Sequence, residues 1–250
     1  MLRGWAACGL GAVLVVEPNP APDLKRLEGV RFVKAADRLA GAAIRACVVA
    51  LKPQILGTEA ARLEPLAAQG APMISIAAGT SIDTLRRAWG PKARILRAMP
   101  NTPGAIGKGI SAIYAPRNVR KQDRALAASL LAPLGETIWV KNEKLIDVTT
   151  AVSGSGPAYV FLLADALADA AQRQGMPRRQ AERLARATIM GAGALLASDP
   201  RPPSELRRDV TSPGGTTEAA LKILMDSNGL KTLIERAVAA ANRRAGELAS

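Results

Sequence analysis

A change of rhythm near Lys141 limits what this chain can fold into more than any other feature. Before it, short runs rich in β-branched and apolar residues, at 12–16, 30–33, 46–51, 73–77 and 94–98, alternate with helical patterns. That alternation predicts an α/β fold with a parallel, doubly wound sheet. Two more strands are expected at 110–114 and 137–140, around a helix at 121–132. Beyond Lys141 the strand signals stop. Helices are predicted at 157–173, ending at Gly175, at 177–196, with Pro177 in the first turn, at 216–226 and at 230–248. These patterns describe a Rossmann-like domain over 1–142 followed by an all-helical domain over 143–250.

The helix around 158–171 is apolar on more than one face, through Tyr159, Val160, Phe161, Leu162, Leu163 and Leu167. Such a helix has to be covered on several sides. A helical domain of this size has too little interior for that, so a second copy of the chain is the expected cover, giving a homodimer.

A dinucleotide-binding domain opens with a strand, then Gly-x-Gly-x-x-Gly, then a helix whose N-terminus holds the pyrophosphate. Here Gly9-Leu10-Gly11 precedes a strand, and Gly154-Ser155-Gly156 precedes a helix but follows no strand. Residues 2–7, then 12–16 and Glu17, instead read as the helix and second strand that follow the fingerprint, with Glu17 where a ribose-binding carboxylate is expected. The expectation is that Met1 is internal to a longer protein whose first strand and glycine loop, roughly 15 to 20 residues, lie upstream. Without that strand its two neighbours carry unpaired backbone groups.

The segment Asp209-Val210-Thr211-Ser212-Pro213-Gly214-Gly215-Thr216-Thr217 is a glycine turn opening into a helix. The first turn of a helix has unpaired N–H groups at the positive end of the macrodipole, glycines let a ligand approach the main chain, and the threonines add hydroxyls. An ordinary capped helix has the same pattern, and an anion site is the functional alternative.

Histidine is absent, which excludes imidazole as acid, base or metal ligand. Cys8 and Cys47 show no metal-type spacing, so neither a metal site nor a disulfide framework is expected, and the compartment is read as the reducing cytoplasm. The formal charge of +13 hints at nucleic acid, but 3% aromatic residues make no base-stacking platform and the basic residues are scattered among acids. No nucleic-acid partner is expected; mild positive bias suits an anionic substrate or cofactor. Nor does any stretch approach about 20 uncharged apolar residues, so no membrane span is expected.

Five motifs, Ala50-Leu51-Lys52-Pro53-Gln54, Ala77-Ala78-Gly79, Arg97-Ala98-Met99-Pro100-Asn101-Thr102-Pro103, Ser153-Gly154-Ser155-Gly156-Pro157-Ala158-Tyr159 and the 209–217 segment, occur in order along essentially the whole chain. In these the chain resembles the pyrroline-5-carboxylate reductases, which complete proline biosynthesis. The resemblance implies hydride transfer from NADPH, with NADH also possible, to 1-pyrroline-5-carboxylate, and a dimer that in this family assembles further in some members. It implies cofactor contacts at Ala50, Leu51, Lys52, Pro53, Ala77 and Ala78, and a substrate pocket at Ser212, Gly215, Thr216 and Thr217. Thr217 takes the position whose hydroxyl meets the ring nitrogen, and the substrate carboxylate is expected on the N–H groups of Gly214 to Thr217. Asp37 and Asp209 stand where some members carry cofactor-contacting asparagines. Glu17 leaves the cofactor open, since a carboxylate repels a 2′-phosphate.

Residues 153–157 are expected to be a tight start to a helix with Ser155 as its cap, and Lys52 a backbone-positioning residue rather than a catalyst. Two other readings compete with the reductase. One is a related imine or hydroxy-acid dehydrogenase, although the 158–171 helix carries only Asp165 and Asp169 and no lysine. The other is a cofactor-free binding or regulatory protein, motivated by the absent glycine loop.

Overall fold

The computed structural model describes residues 1–39 and 41–249, without the side chains at positions 53, 54, 57 and 249. The chain forms two compact units, Met1–Ser155 with Ala241–Ser250, and Gly156–Ala240. The sequence division at 142/143 lies earlier than this.

The first unit runs α1 (Leu2–Ala7), β1 (Val13–Val16), β2 (Val30–Val33), β3 (Cys47–Val49), α2 (Pro53–Glu59), α3 (Glu64–Ala68), β4 (Met73–Ser75), α4 (Ile82–Trp89), β5 (Ile95–Met99), β6 (Gly109–Tyr114), α5 (Lys121–Leu131), β7 (Gly135–Trp139) and α6 (Lys144–Thr149). Strands β3, β4 and β5 pair in parallel and β6 and β7 in parallel, whereas β5 and β6 are antiparallel. The strands of the alternating first half pair in parallel as expected, and the antiparallel step comes at the first of the two further strands. Only residues 100–108 join β5 to β6, and a parallel crossover takes a dozen or more.

Strands β1 and β2 form a separate parallel pair. They nevertheless share the layers of the larger sheet, because Leu14 packs on one buried cluster and Val13 on the other. Side chains alternate between these clusters as strand geometry requires. Val49, Met73 and Ile95 point toward α2, α3 and α4, where Leu56, Leu66, Leu85 and Trp89 meet them. Ile74, Leu96, Ala98 and Ile113 face Trp5 of α1 and Ala127, Leu130 and Leu131 of α5. Both tryptophans satisfy their indole N–H as they are buried, Trp5 to the Leu130 carbonyl at 2.6 Å and Trp89 to that of Ala60 at 2.8 Å.

Arg97, in the middle of β5, is 2% exposed. Its guanidinium meets Glu143 at 3.0 Å and Asp147 of α6 at 3.4 Å, and Glu143 also accepts the Ile82 N–H at the start of α4, at 2.7 Å. This network fastens α6 to the sheet and satisfies one of the orphan amides of α4.

A π turn, Thr150–Gly154, carries α6 on toward the second unit. Ser155 stands directly before α7, where a cap was expected, and its N–H donates to the Thr150 carbonyl, five residues back, at 2.8 Å. Nearby hydroxyls bond backward too, Thr149 to the Leu145 carbonyl, Thr150 to that of Ile146 and Ser153 to that of Thr149.

The second unit contains α7 (Gly156–Arg173), α8 (Arg178–Ser198), α9 (Pro203–Asp209), α10 (Thr216–Leu224) and the first half of α11 (Leu230–Ala249). Its buried cluster consists of Ala168, Ala181 and Ala185, while Phe161, Leu162, Met190 and Ile223 are all at least 65% exposed. The helical run Lys144–Arg173 is long and apolar enough to cross a membrane by length and composition alone, which corrects the expectation that no stretch reaches that length. Such exposed apolar surface is also what a partner subunit covers.

Cys8 is exposed, whereas burial pushes the half-buried Cys47 thiol up to about 11. At pH 8 the native chain is expected to give one thiol to Ellman's reagent and two after denaturation in guanidinium, because the thiolate is the reactive form. Two fast thiols in the native protein would contradict that burial.

Candidate active site

In the first unit, the sequence-predicted cofactor residues follow the carboxyl ends of β1 to β4, the edge at which open α/β sheets bind ligands. Glu17 follows β1; its N–H donates to the Val33 carbonyl and its exposed carboxylate accepts the Asn19 N–H at 2.9 Å. Asp37 lies exposed in the 3-10 turn Ala36–Leu39 after β2. After β3, Ala50 is exposed, Leu51 packs on the first cluster, and Lys52 is exposed in the extended conformation that precedes proline. The Pro53 side chain lies outside the described residues.

The Ile76 N–H donates to the Val49 carbonyl at 3.0 Å, so the loops after β3 and β4 leave the sheet side by side. Ala77 turns its methyl into the first cluster, Ala78 is half-buried, and Gly79 reverses the chain at φ +64°. Ser81 then caps α4, its Oγ accepting from the Thr84 N–H at 3.1 Å. The methyl side chains of Ala50, exposed, and Ala78, half-buried, leave the backbone there open to close approach, and a carboxylate follows β1 where ribose hydroxyls are bound in such folds. These residues fit a nicotinamide dinucleotide.

In the second unit, Ser212-Pro213-Gly214-Gly215 closes a tight turn, the Gly215 N–H donating to the Ser212 carbonyl at 3.0 Å and Gly214 standing at φ +71°. A Cβ on Gly215 would run into the Ser212 side chain and carbonyl. Gly215 is the N-cap of α10 and no side chain caps the helix there. Thr216, exposed, Thr217, half-buried, and Glu218 form its first turn, whose N–H groups have no intrahelical acceptor.

Glu218 escaped the sequence reading. Its carboxylate reaches back to the Gly214 N–H at 2.8 Å, so the Gly214 and Gly215 amides are both engaged within the chain. The glutamate at the third helical position after a glycine turn was the available signal. Asp209, at the end of α9, is paired with Arg201 at 2.9 Å, and Arg201 also grips Asp199 through two nitrogens. The guanidinium bonded to Asp199 holds that carboxyl below its ordinary range. The clamp fixes the chain on both sides of α9, immediately before the glycine turn. Among the described residues no cluster of histidine, cysteine and carboxylate ligands could hold a metal ion.

A family model described as pyrroline-5-carboxylate reductase dimerisation matches residues 143–248. The chain is similar to the pyrroline-5-carboxylate reductase of Pseudomonas aeruginosa, 38% identical over 252 residues that cover 100% of this chain and 92% of the relative. It resembles that of Haemophilus influenzae at 36% identity, covering 99% and 92%. Among solved structures, the pyrroline-5-carboxylate reductase from Coxiella burnetii superposes with a TM-score of 0.90 at 34% identity, covering 100% and 93% of the two chains. The Plasmodium falciparum pyrroline carboxylate reductase with NADP bound superposes at 0.84 with 27% identity and the same coverage.

Proposed function

The chain belongs to the pyrroline-5-carboxylate reductase family, and from that premise we infer how its residues reduce 1-pyrroline-5-carboxylate to L-proline as a homodimer. One observation carries the function: the similarity to named reductases runs through both units rather than stopping at the helical one. It favours neither a different small dehydrogenase nor a cofactor-free binding protein.

NADPH or NADH supplies the hydride when bound. Ala50 to Pro53, Ala77 and Ala78 line its place at the sheet edge, and Glu17 and Asp37 face its ribose side. Glu17 disfavours a 2′-phosphate by charge, which leaves room for NADH. Asp209 was expected at the cofactor too; its pairing with Arg201 argues for holding the substrate turn instead.

The substrate carboxylate is proposed to rest on the N–H groups of Thr216, Thr217 and Glu218, at the positive end of α10. Ser212 and Gly215 shape the turn beside it. Thr217 Oγ accepts a hydrogen bond from the protonated imine nitrogen. The hydride arrives at the imine carbon, C2 of the pyrroline ring, the C=N π electrons become the nitrogen lone pair, and the iminium already carries the proton that the amine keeps. No acid has to deliver one, which suits a chain without histidine. Positioning supplies the catalysis. The site is placed in the cytoplasm, where the two free cysteines stay reduced.

The purified protein is expected to oxidise NADPH or NADH only when pyrroline-5-carboxylate is present, forming proline at a turnover on the order of 1 per second or faster. Failure with both cofactors, in this chain and in a form carrying an upstream strand and glycine loop, would remove the reductase assignment.

A further inference from the structure

Residues of α11 from Ala241 onward pack with the sheet unit, although the helix begins among the helical elements. Ala241 and Asn242 are half-buried and Ala245 is 4% exposed, so this stripe of the helix end is covered, and Leu248, 41% exposed, follows at the next helical step. The residue beneath Leu248 is Gly79. A Cβ placed on Gly79 would lie 2.5 Å from the Leu248 Cβ, 3.0 Å from its carbonyl carbon and 3.1 Å from its carbonyl oxygen. Gly79 also stands at φ +64°, where a side chain is strained. Loop and helix end therefore meet backbone to backbone, and glycine is the residue that permits it.

We propose that the last turns of α11, through Leu248, clamp Gly79 and so hold the Ala77–Ala78 loop in the shape that receives the nicotinamide cofactor, which makes Leu248 a positioning residue for cofactor binding. On its core side the loop is held by the Ala77 methyl and by the Ala77 N–H on Ser75 Oγ at 3.4 Å, and Leu248 meets it at Gly79. Without the clamp the loop samples other shapes, and the cofactor has to bind the fraction that is competent. The expected signature is weaker cofactor binding with little change in the chemical step. The inference rests on the reading that Ala77 and Ala78 touch the cofactor.

The test uses the intact dimer, titrated calorimetrically with NADPH, alongside amide hydrogen exchange of residues 77–81 in cofactor-free protein. Leu248→Gly is expected to weaken NADPH binding about 5-fold and to speed exchange in the loop, while the KM for pyrroline-5-carboxylate and the dimer mass hold. Gly79→Ala is expected to weaken binding about 10-fold, and the double variant by less than the product of the two, because removing the Leu248 side chain relieves part of the clash. Ala78→Tyr examines the underlying reading by filling the loop's ligand side. If Ala78→Tyr binds NADPH normally, the loop is not at the cofactor. If it abolishes binding while Leu248→Gly leaves affinity within 2-fold and exchange unchanged, the clamp alone is overturned.

Discussion

Thr217→Ala is expected to turn over at about a tenth of the parent rate or less, a loss of about 1.4 kcal/mol in transition-state stabilisation. Thr217 is the second residue of α10 and half-buried, and its hydroxyl is the group assigned to the imine nitrogen. Alanine is a better helix former than threonine and leaves the backbone N–H in place, so the variant keeps the carboxylate anchor and its fold. The melting temperature should hold while kcat falls. Thr217→Ser restores a hydroxyl at the same atom and is expected to regain most of the rate. Steady-state kinetics of the two variants at saturating cofactor decide the matter: equal turnover in parent and alanine variant would strip Thr217 of its role.

Arg97→Met is the largest stability loss expected from a single substitution, about 3 to 4 kcal/mol, because it removes one partner of a buried ion network. The arginine is nearly inaccessible and faces two carboxylates that are themselves mostly covered. Methionine replaces its length but leaves Glu143 and Asp147 charged and unpaired. At roughly 2 to 4 °C per kcal/mol for a chain of this size, thermal unfolding followed by circular dichroism at fixed protein concentration should move down by roughly 10 °C. Adding Glu143→Gln and Asp147→Asn is expected to recover part of the loss, since the orphaned charges disappear and an amide oxygen remains for the Ile82 N–H. An unshifted transition in the single variant would show that the network does not hold α6.

Legibility in the sequence followed the range over which each feature is determined. Strands such as Val30–Val33 and long helices such as Arg178–Ser198 are local, made by β-branched runs and by apolar periodicity, and the expected positions match the observed ones within a few residues. The direction of β6 depends on how short a loop can be, which periodicity does not register. Helix α9 was missed because seven residues that open on the second of two prolines carry too little pattern. The π turn was missed because Thr149, Thr150 and Ser153 look like cap residues yet spend their hydroxyls on carbonyls one turn back. In the substrate turn, the glycines and threonines were visible by type, but the reach of Glu218 to Gly214 is a rotamer fact. Arg97 gave a faint signal, a charge inside an apolar strand, and naming its partners required knowing that residues 46 and 50 positions later fold back onto it.

The helical unit, whose interior is three alanine methyls beneath an apolar exterior, ties the life of each chain to the number of its siblings. A newly made copy can complete its sheet half by itself, since that half owns two well-stocked cores. Its helices reach their final burial only on meeting a partner, so the last stage of maturation is second order in chain concentration. In a cell that makes few copies, the wait lengthens, and proteases gain time on the half that is still bare.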